Sequence, residues 1–373
     1  MTVEMPNIDV SFKQKANSLV DRSERGYAIL IIRDDTVKTF DYKEYDIITD
    51  VKEADYTEAN YKYIEDIFTF APYKVCIVRI NATTEEGVTA PTITDALNVI
   101  SQNVATGWIT IGNGSAEDFT TLSGWIKTKS TMEKKTYKAV VFNVTTAPDE
   151  KHIVNFVNQH VTFSDTTRGE VEGVHYCPSL IGILSKCNIS QGCNYFKCTN
   201  LSKVTEVEDR NEALGAGKFI LINDGAYVRI ARGINSLITT NGATITEDMK
   251  EIEVVEAMDL MQDDISTTFK EDYLGGGYKN KYDNQILFIS AVNGYFKELS
   301  ADGTDVLDGE YDNRADIDVE RQRQAWIDNG TSEAKDWTDL QVRRSTFKRS
   351  LFLTANVKVL QSMVDLKFAI NLA

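Results

Sequence analysis

Apolar and polar residues alternate through the end of the chain. Leu351, Leu353, Ala355, Val357 and Val359 share one face, and after Gln361 and Ser362 the set Val364, Leu366, Phe368, Ile370 and Leu372 alternates with Asp365, Lys367, Ala369 and Asn371. A period of two is the signature of a β-strand. Two strands placed end to end are predicted, divided at Ser362. The connector holds no Asn-Gly or Gly-X pair, so a tight hairpin back onto the first strand is disfavoured. An apolar strand in that position needs some other partner, because an unpaired apolar edge invites pairing with another chain. At the opposite end Ile8, Val10 and Phe12 lie opposite Asp9, Ser11 and Lys13, followed by a polar, charged stretch to Arg25. That short strand reads either as the first strand of a nearby sheet or, beside its C-terminal counterpart, as one of two exchange arms.

Between these ends the period changes repeatedly. Tyr27 to Arg33 and Lys74 to Ile80 are apolar runs of buried-strand type, with a helix over Tyr61 to Phe70, and together they predict a small β-rich unit. Helical and strand patterns then alternate: a helix over Ile93 to Asn103, a strand over Trp108 to Gly112, a helix over Ser115 to about Lys129, a strand over Tyr137 to Val144, and a helix over Asp149 to Gln159. That order predicts βαβ crossovers and a mainly parallel sheet. Lys218 to Asn223, the Asp224-Gly225 turn and Tyr227 to Arg232 read as a hairpin. Beyond Thr246, a plausible N-cap, Met249, Ile252, Val255, Met258, Met261, Ile265, Phe269 and Tyr273 recur every three or four residues and predict one long amphipathic helix, broken at Gly275-Gly276-Gly277. A second helix starts near Tyr282, and a third runs from Asp318 to Asn329 and stops at Gly330.

Composition narrows the partners. The chain has 373 residues, enough for two or three domains, and a net charge of −16 from 40 basic and 56 acidic residues. Such acidity argues against nucleic acid or an anionic membrane as the main partner. No basic region followed by an apolar run opens the sequence, and no apolar segment is long enough to cross a bilayer, so synthesis and folding in a cytosol, with reduced thiols, are expected. Basic residues concentrate late, at Arg321, Arg323, Lys335, Arg343, Arg344, Lys348 and Arg349. They are either a solvated face or a contact for an acidic partner.

Chemical motifs are sparse. His152, His160 and His175 are the histidines, and Ser179 sits in no Gly-x-Ser-x-Gly elbow. Ile111-Gly-Asn-Gly-Ser115 and Leu214-Gly-Ala-Gly-Lys218 lack the rest of a phosphate-binding loop and read as turns. Cys177, Cys187, Cys193 and Cys198 with His175 are the candidate metal cluster, but their spacing contains no Cys-x-x-Cys knuckle. Asp302 to Glu320 misses the calcium-loop pattern and reads as a solvated loop. No catalytic, cofactor or metal residues are therefore assigned, and the chain is not expected to be an enzyme. A metal-dependent hydrolase built on His175 and the cysteines is the alternative, and a non-contractile tube or capsid component a third.

An ordered set of segments carries a resemblance over nearly the whole chain: Met5-Pro-Asn-Ile-Asp-Val-Ser-Phe12, Asn223-Asp-Gly-Ala-Tyr-Val-Arg-Ile-Ala-Arg-Gly-Ile-Asn-Ser-Leu237, Val254-Val-Glu-Ala-Met-Asp-Leu260, Asp263-Asp-Ile-Ser-Thr-Thr-Phe269, Tyr282-Asp-Asn284, Ile317-Asp-Val-Glu320 and Phe352-Leu-Thr-Ala-Asn-Val-Lys-Val-Leu360. In these the chain resembles the contractile tail sheath family of phages, R-type bacteriocins and defective prophages, most closely the compact sheaths from Gram-positive hosts. The resemblance implies a multidomain α/β fold: an N-terminal exchange arm (1–25), a small β-rich subdomain (26–91), a subtilisin-like but non-catalytic middle subdomain (92–241), an α+β C-terminal sheath domain (242–362) and a C-terminal exchange arm (363–373). It implies a structural subunit that stacks as hexameric rings around an inner tube and contracts by subunit rotation, driving the tube through a target envelope. The implied partners are further copies of the chain, the inner tail tube protein, and baseplate and sheath-terminating proteins, with no nucleic acid, membrane insertion or cofactor. The implied location is the bacterial cytoplasm during assembly and then the tail of a released particle. The arm residues would be Ile8, Val10, Phe12, Val364, Leu366, Phe368 and Ile370, and Arg321, Arg323, Arg343, Arg344, Lys348 and Arg349 are candidates for facing the tube.

Overall fold

A computed structural model describes residues 26–83, 91–187, 191–274 and 277–370. The expected N-terminal strand at Ile8, Val10 and Phe12 lies outside the described residues. The chain divides into two compact units, Ala257–Gln361 and the residues on either side of it.

The first unit is built on a seven-stranded sheet. Strand β1 (Tyr27–Arg33) lies inside it, between β3 (Lys74–Ile80) and β4 (Gly107–Ile111), and is parallel to both. Its Ala-Ile-Leu-Ile-Ile run is fully buried, as expected of a strand covered on both faces. Outward from β4 follow β5 (Tyr137–Phe142), β6 (Ile153–Phe156) and a short strand at Lys218–Phe219, all parallel, while β2 (Tyr42–Tyr45) closes the far edge antiparallel to β3. The two apolar runs expected to make a separate β-rich unit therefore belong to the same sheet as the βα repeats. A second correction concerns residues 149–159, expected as a helix. They contain strand β6, because Ile153, Val154 and Phe156 are buried on both sides of a sheet, where alternation vanishes and a short apolar run mimics helical spacing.

After β1 the chain passes through β2 before helix α1 (Glu58–Phe68) leads into β3, and α2 (Ile93–Asn103) and α3 (Ala116–Met132) carry the chain through β4 to β5. Right-handed crossovers run in opposite directions from β1 and put α1 on one face and α2 with α3 on the other. Helix α4 (Cys177–Lys186) packs on α1, close enough that a Cβ on Gly182 would stand 2.7 Å from the Ile67 carbonyl oxygen. Ser115 caps α3 with Asp118 as its capping-box partner, and Arg33 at the end of β1 donates to both Asp118 oxygens at 3.0 and 2.8 Å. The Gly-Asn-Gly segment before Ser115 is thus a turn feeding a capped helix. The predicted hairpin forms between Leu221–Asn223 and Val228–Ile230.

Helix α5 (Ile252–Thr268) starts later than the Thr246 cap suggested, after a 3-10 turn at Glu247–Lys250, and widens into a π-helical turn over Phe269–Leu274. In the second unit α6 (Tyr282–Leu299) packs against a two-stranded antiparallel sheet of β7 (Arg314–Ile317) and β8 (Leu353–Asn356). Part of the acidic run read as a loop is therefore strand β7. Helix α7 (Val319–Asp328) begins where expected, capped by the Asp318 side chain on the Arg321 N–H at 2.9 Å.

Candidate assembly interface

The two ends of the last segment behave differently. Its first part is anchored inside the second unit by the β7–β8 ladder, by Asp308 N–H donating to the Lys358 carbonyl at 2.8 Å, by the Leu307–Val359 bridge and by Leu360 N–H on the Val306 carbonyl at 3.0 Å. Lys358 adds an ion pair to Asp308 at 2.7 Å. Beyond this, residues 361–370 form no strand in the chain. The strand predicted there is not formed, and Leu366, Phe368 and Ile370 are 89, 77 and 72% exposed.

At the root of this segment Ser362 is held within the first unit. Its N–H and Oγ donate to the two Glu253 carboxylate oxygens at 3.2 and 2.9 Å. Glu253 is fixed in turn because α5 starts on that unit: Ile252 is buried in its core and donates its N–H to the Gly233 carbonyl at 2.8 Å. Glu256 accepts from the Trp108 indole at 3.0 Å and pairs with Lys138 at 3.1 Å. Arg232 pairs with Glu251 at 2.8 Å and approaches Asp365 at 3.8 Å. None of these anchors was evident in the sequence, since Glu253 and Ser362 are 109 positions apart.

The β7–β8 pair has one blocked edge and one open one. The Asn293 carboxamide, on α6, accepts from the Ala315 N–H at 2.7 Å and donates to the Ala315 carbonyl at 3.1 Å, imitating a neighbouring strand. Ala315 stands opposite Ala355 in the register, so the N–H and C=O of Ala355 point away from β7, toward the free side of β8. Among the described residues no strand pairs there.

The late basic residues do not act as one patch. Arg323 donates to the Ala334 and Trp337 carbonyls and pairs with Asp339 at 2.8 Å, and Arg343 hydrogen-bonds Asp316, holding that carboxyl below the usual carboxylate range. Both are internal braces. Arg321, Arg344, Lys348 and Arg349 are exposed.

The enzymatic alternative fares poorly on geometry. All five cysteines are buried free thiols. Burial pushes Cys76, Cys187 and Cys198 up to about 12 and raises Cys177 and Cys193 as well, so that these are protonated interior thiols. His175 pairs through Nδ1 with the Tyr63 hydroxyl at 2.5 Å, His152 with Glu150 at 3.0 Å, and Ser179 accepts from Asn200 at 2.9 Å. Among the described residues no three His, Cys, Asp or Glu side chains converge to hold a metal ion.

Residues 244–373 match the phage tail sheath C-terminal domain family. Over 98% of its length the chain is 26% identical to the tail sheath protein of Clostridium phage phiCD119, and covers 99% of that protein. The chain is thus similar to a tail sheath protein over nearly its whole length, and its last third matches the family's C-terminal domain. Solved sheath folds agree: the sheath tail protein of Listeria innocua superposes with a TM-score of 0.65 at 12% identity, covering 94% of this chain and 99% of that one. The contracted helical sheath of the anti-feeding prophage gives 0.65 at 11% identity, covering 93 and 94%. The sheath tail protein of Desulfitobacterium hafniense gives 0.65 at 13%, covering 85 and 94%. A mixed α/β sheath fold thus extends well beyond the family's C-terminal domain.

Proposed function

We propose that this chain is a tail sheath protein, the structural subunit of a contractile tail. It stacks as hexameric rings around an inner tube, attaches to a baseplate and terminating proteins, and drives the tube by subunit rotation when the sheath shortens. The observation that carries the reading is the exposed, alternating apolar segment after Ser362, in a chain whose own second unit keeps an open strand edge at β8. Residues 363–373, and residues 1–25 with Ile8, Val10 and Phe12, act as exchange arms adding strands to neighbouring copies. Strand addition joins through main-chain hydrogen bonds, and heterologous contacts that do not close on themselves propagate into helical arrays. Residues 13–25 and 361–363 serve as hinges while the ladders stay intact. The first unit's parallel sheet is a subtilisin-like scaffold without the protease chemistry. An extended assembly trapped in a higher-energy packing needs no nucleotide to contract once triggered.

Removing residues 363–373 leaves a subunit whose cores are untouched, with unchanged circular dichroism and monomeric sedimentation. Co-expressed with its tube and baseplate it is expected to give bare tubes by electron microscopy. Normal sheaths from the truncated subunit would disprove the exchange role of the segment.

A further inference from the structure

The second unit contains an aromatic cavity of about 360 Å³, bounded by the π-helical turn, by α6 and by the approach to β8. Phe269, Tyr273 and Phe288 wall it, with Tyr273 and Phe288 in edge contact at 4.8 Å and Phe269 and Phe288 at 5.3 Å. Leu274 and Tyr278 stand exposed at its mouth. Lys279, Lys348 and Arg349 line it as well and make its rim basic. Gln285, only 2% exposed, also lines it, and its Nε2 donates to Asn280 at 2.7 Å while its Oε1 has no donor. Aromatic walls, a basic rim and a buried acceptor without a donor are unfinished features in an isolated chain.

We propose that this cavity is the seat for the C-terminal segment of a second copy, with Phe368 as the anchor. The inference rests on the strand-exchange reading above and adds the receiving pocket. A cavity of roughly 150 Å³ suffices for a benzene ring, so this one holds two side chains of that order. In an extended segment Leu366 and Phe368, or Phe368 and Ile370, point to the same side and enter together. The segment's backbone supplies the kind of N–H donor that the Gln285 Oε1 lacks. Leu351, which lines the cavity, lies two residues before β8. A strand pairing with the free side of β8 at the N–H and C=O of Ala355 would therefore lead toward the cavity.

The native cysteines are buried, so exposed engineered thiols can be cross-linked selectively. Two differently tagged full-length populations, one Tyr278→Cys and one Phe368→Cys, are assembled on tubes and mildly oxidised. The expected result is a reducible link between differently tagged copies, at least about tenfold above a pairing of Phe368→Cys with Met132→Cys. Phe368→Ala is expected to raise the subunit concentration needed for assembly by about tenfold or more, and Phe368→Leu to recover most of it. Equal yields at Met132→Cys, links formed only within single copies, or Val10→Cys coupling to Tyr278→Cys in place of Phe368→Cys would each overturn the assignment. Sheaths that form without the link defeat this inference alone, whereas an unmodified chain that forms no sheath on tubes defeats the strand-exchange reading with it.

Discussion

Gly182 shows how a single position sets a helix packing distance. A Cβ there would meet the Ile67 carbonyl oxygen at 2.7 Å and its Cα at 3.0 Å, both backbone atoms that cannot swing aside. Gly182→Ala is expected to cost about 1–3 kcal/mol, read as a lower midpoint in urea denaturation of the purified subunit. Nothing in the sequence marks this glycine, because its neighbour belongs to a distant helix. The same holds for Glu253 and Ser362, whereas Asp318, Ser115 and Gly330 act through residues a turn away, and the helix limits at these three positions were legible, though not the caps that Ser115 and Asp318 form. Local chemistry is written locally, and the braces made by Arg323 and Arg343 are not.

At the scale of elements, the hairpin at Leu221–Asn223 and Val228–Ile230 depends on Asp224. Its carboxylate takes a hydrogen bond from Arg229 and two more from the Ala226 and Tyr227 N–H groups at 2.9 and 2.7 Å, which together lower its pKa to about 2. An unfolded Asp titrates near about 3.9, so the folded value is depressed. The stabilisation is complete above the unfolded value and is lost as pH falls through about 4 toward 2. Asp224→Asn is expected to remove that part of the pH dependence, seen by comparing urea midpoints at about pH 5 and about pH 3 with those of the unaltered chain. This hairpin was readable because Asp-Gly between alternating runs is a local signal. Strand β6 was not, since its burial on both faces comes from strands and helices far away in sequence. The last segment is intermediate: its alternation was plain, but the ladder that alternation calls for is absent from the single chain.

For the whole molecule, the proposed assembly on a tube should answer to charge. The chain is strongly acidic, and with Arg323 and Arg343 committed internally, Arg321 and Arg344 are the better candidates for the proposed contact with a tube, which would then be acidic there. The double reversal Arg321→Glu with Arg344→Glu is expected to slow tube-templated assembly at low salt, with the difference from the unaltered chain shrinking as salt rises, measured by turbidity and electron microscopy. Assembly rates unchanged at low salt would remove these residues from the tube contact.

The unequal edges of the β7–β8 pair carry a last consequence. Asn293 closes one side of the pair, so in each copy this pair offers one receiving edge, while the exposed segment after Ser362 is an apolar strand to give. Under the proposed exchange, a stack of such copies has a direction. The layer at one extremity keeps unfilled acceptor edges and the layer at the other keeps unclaimed apolar segments, so the two extremities differ in chemistry. A cap for the first must supply an extended apolar peptide, and a cap for the second must supply a groove. Growth from a baseplate toward a terminator would then be vectorial, with direction encoded in every subunit by one asparagine on a helix.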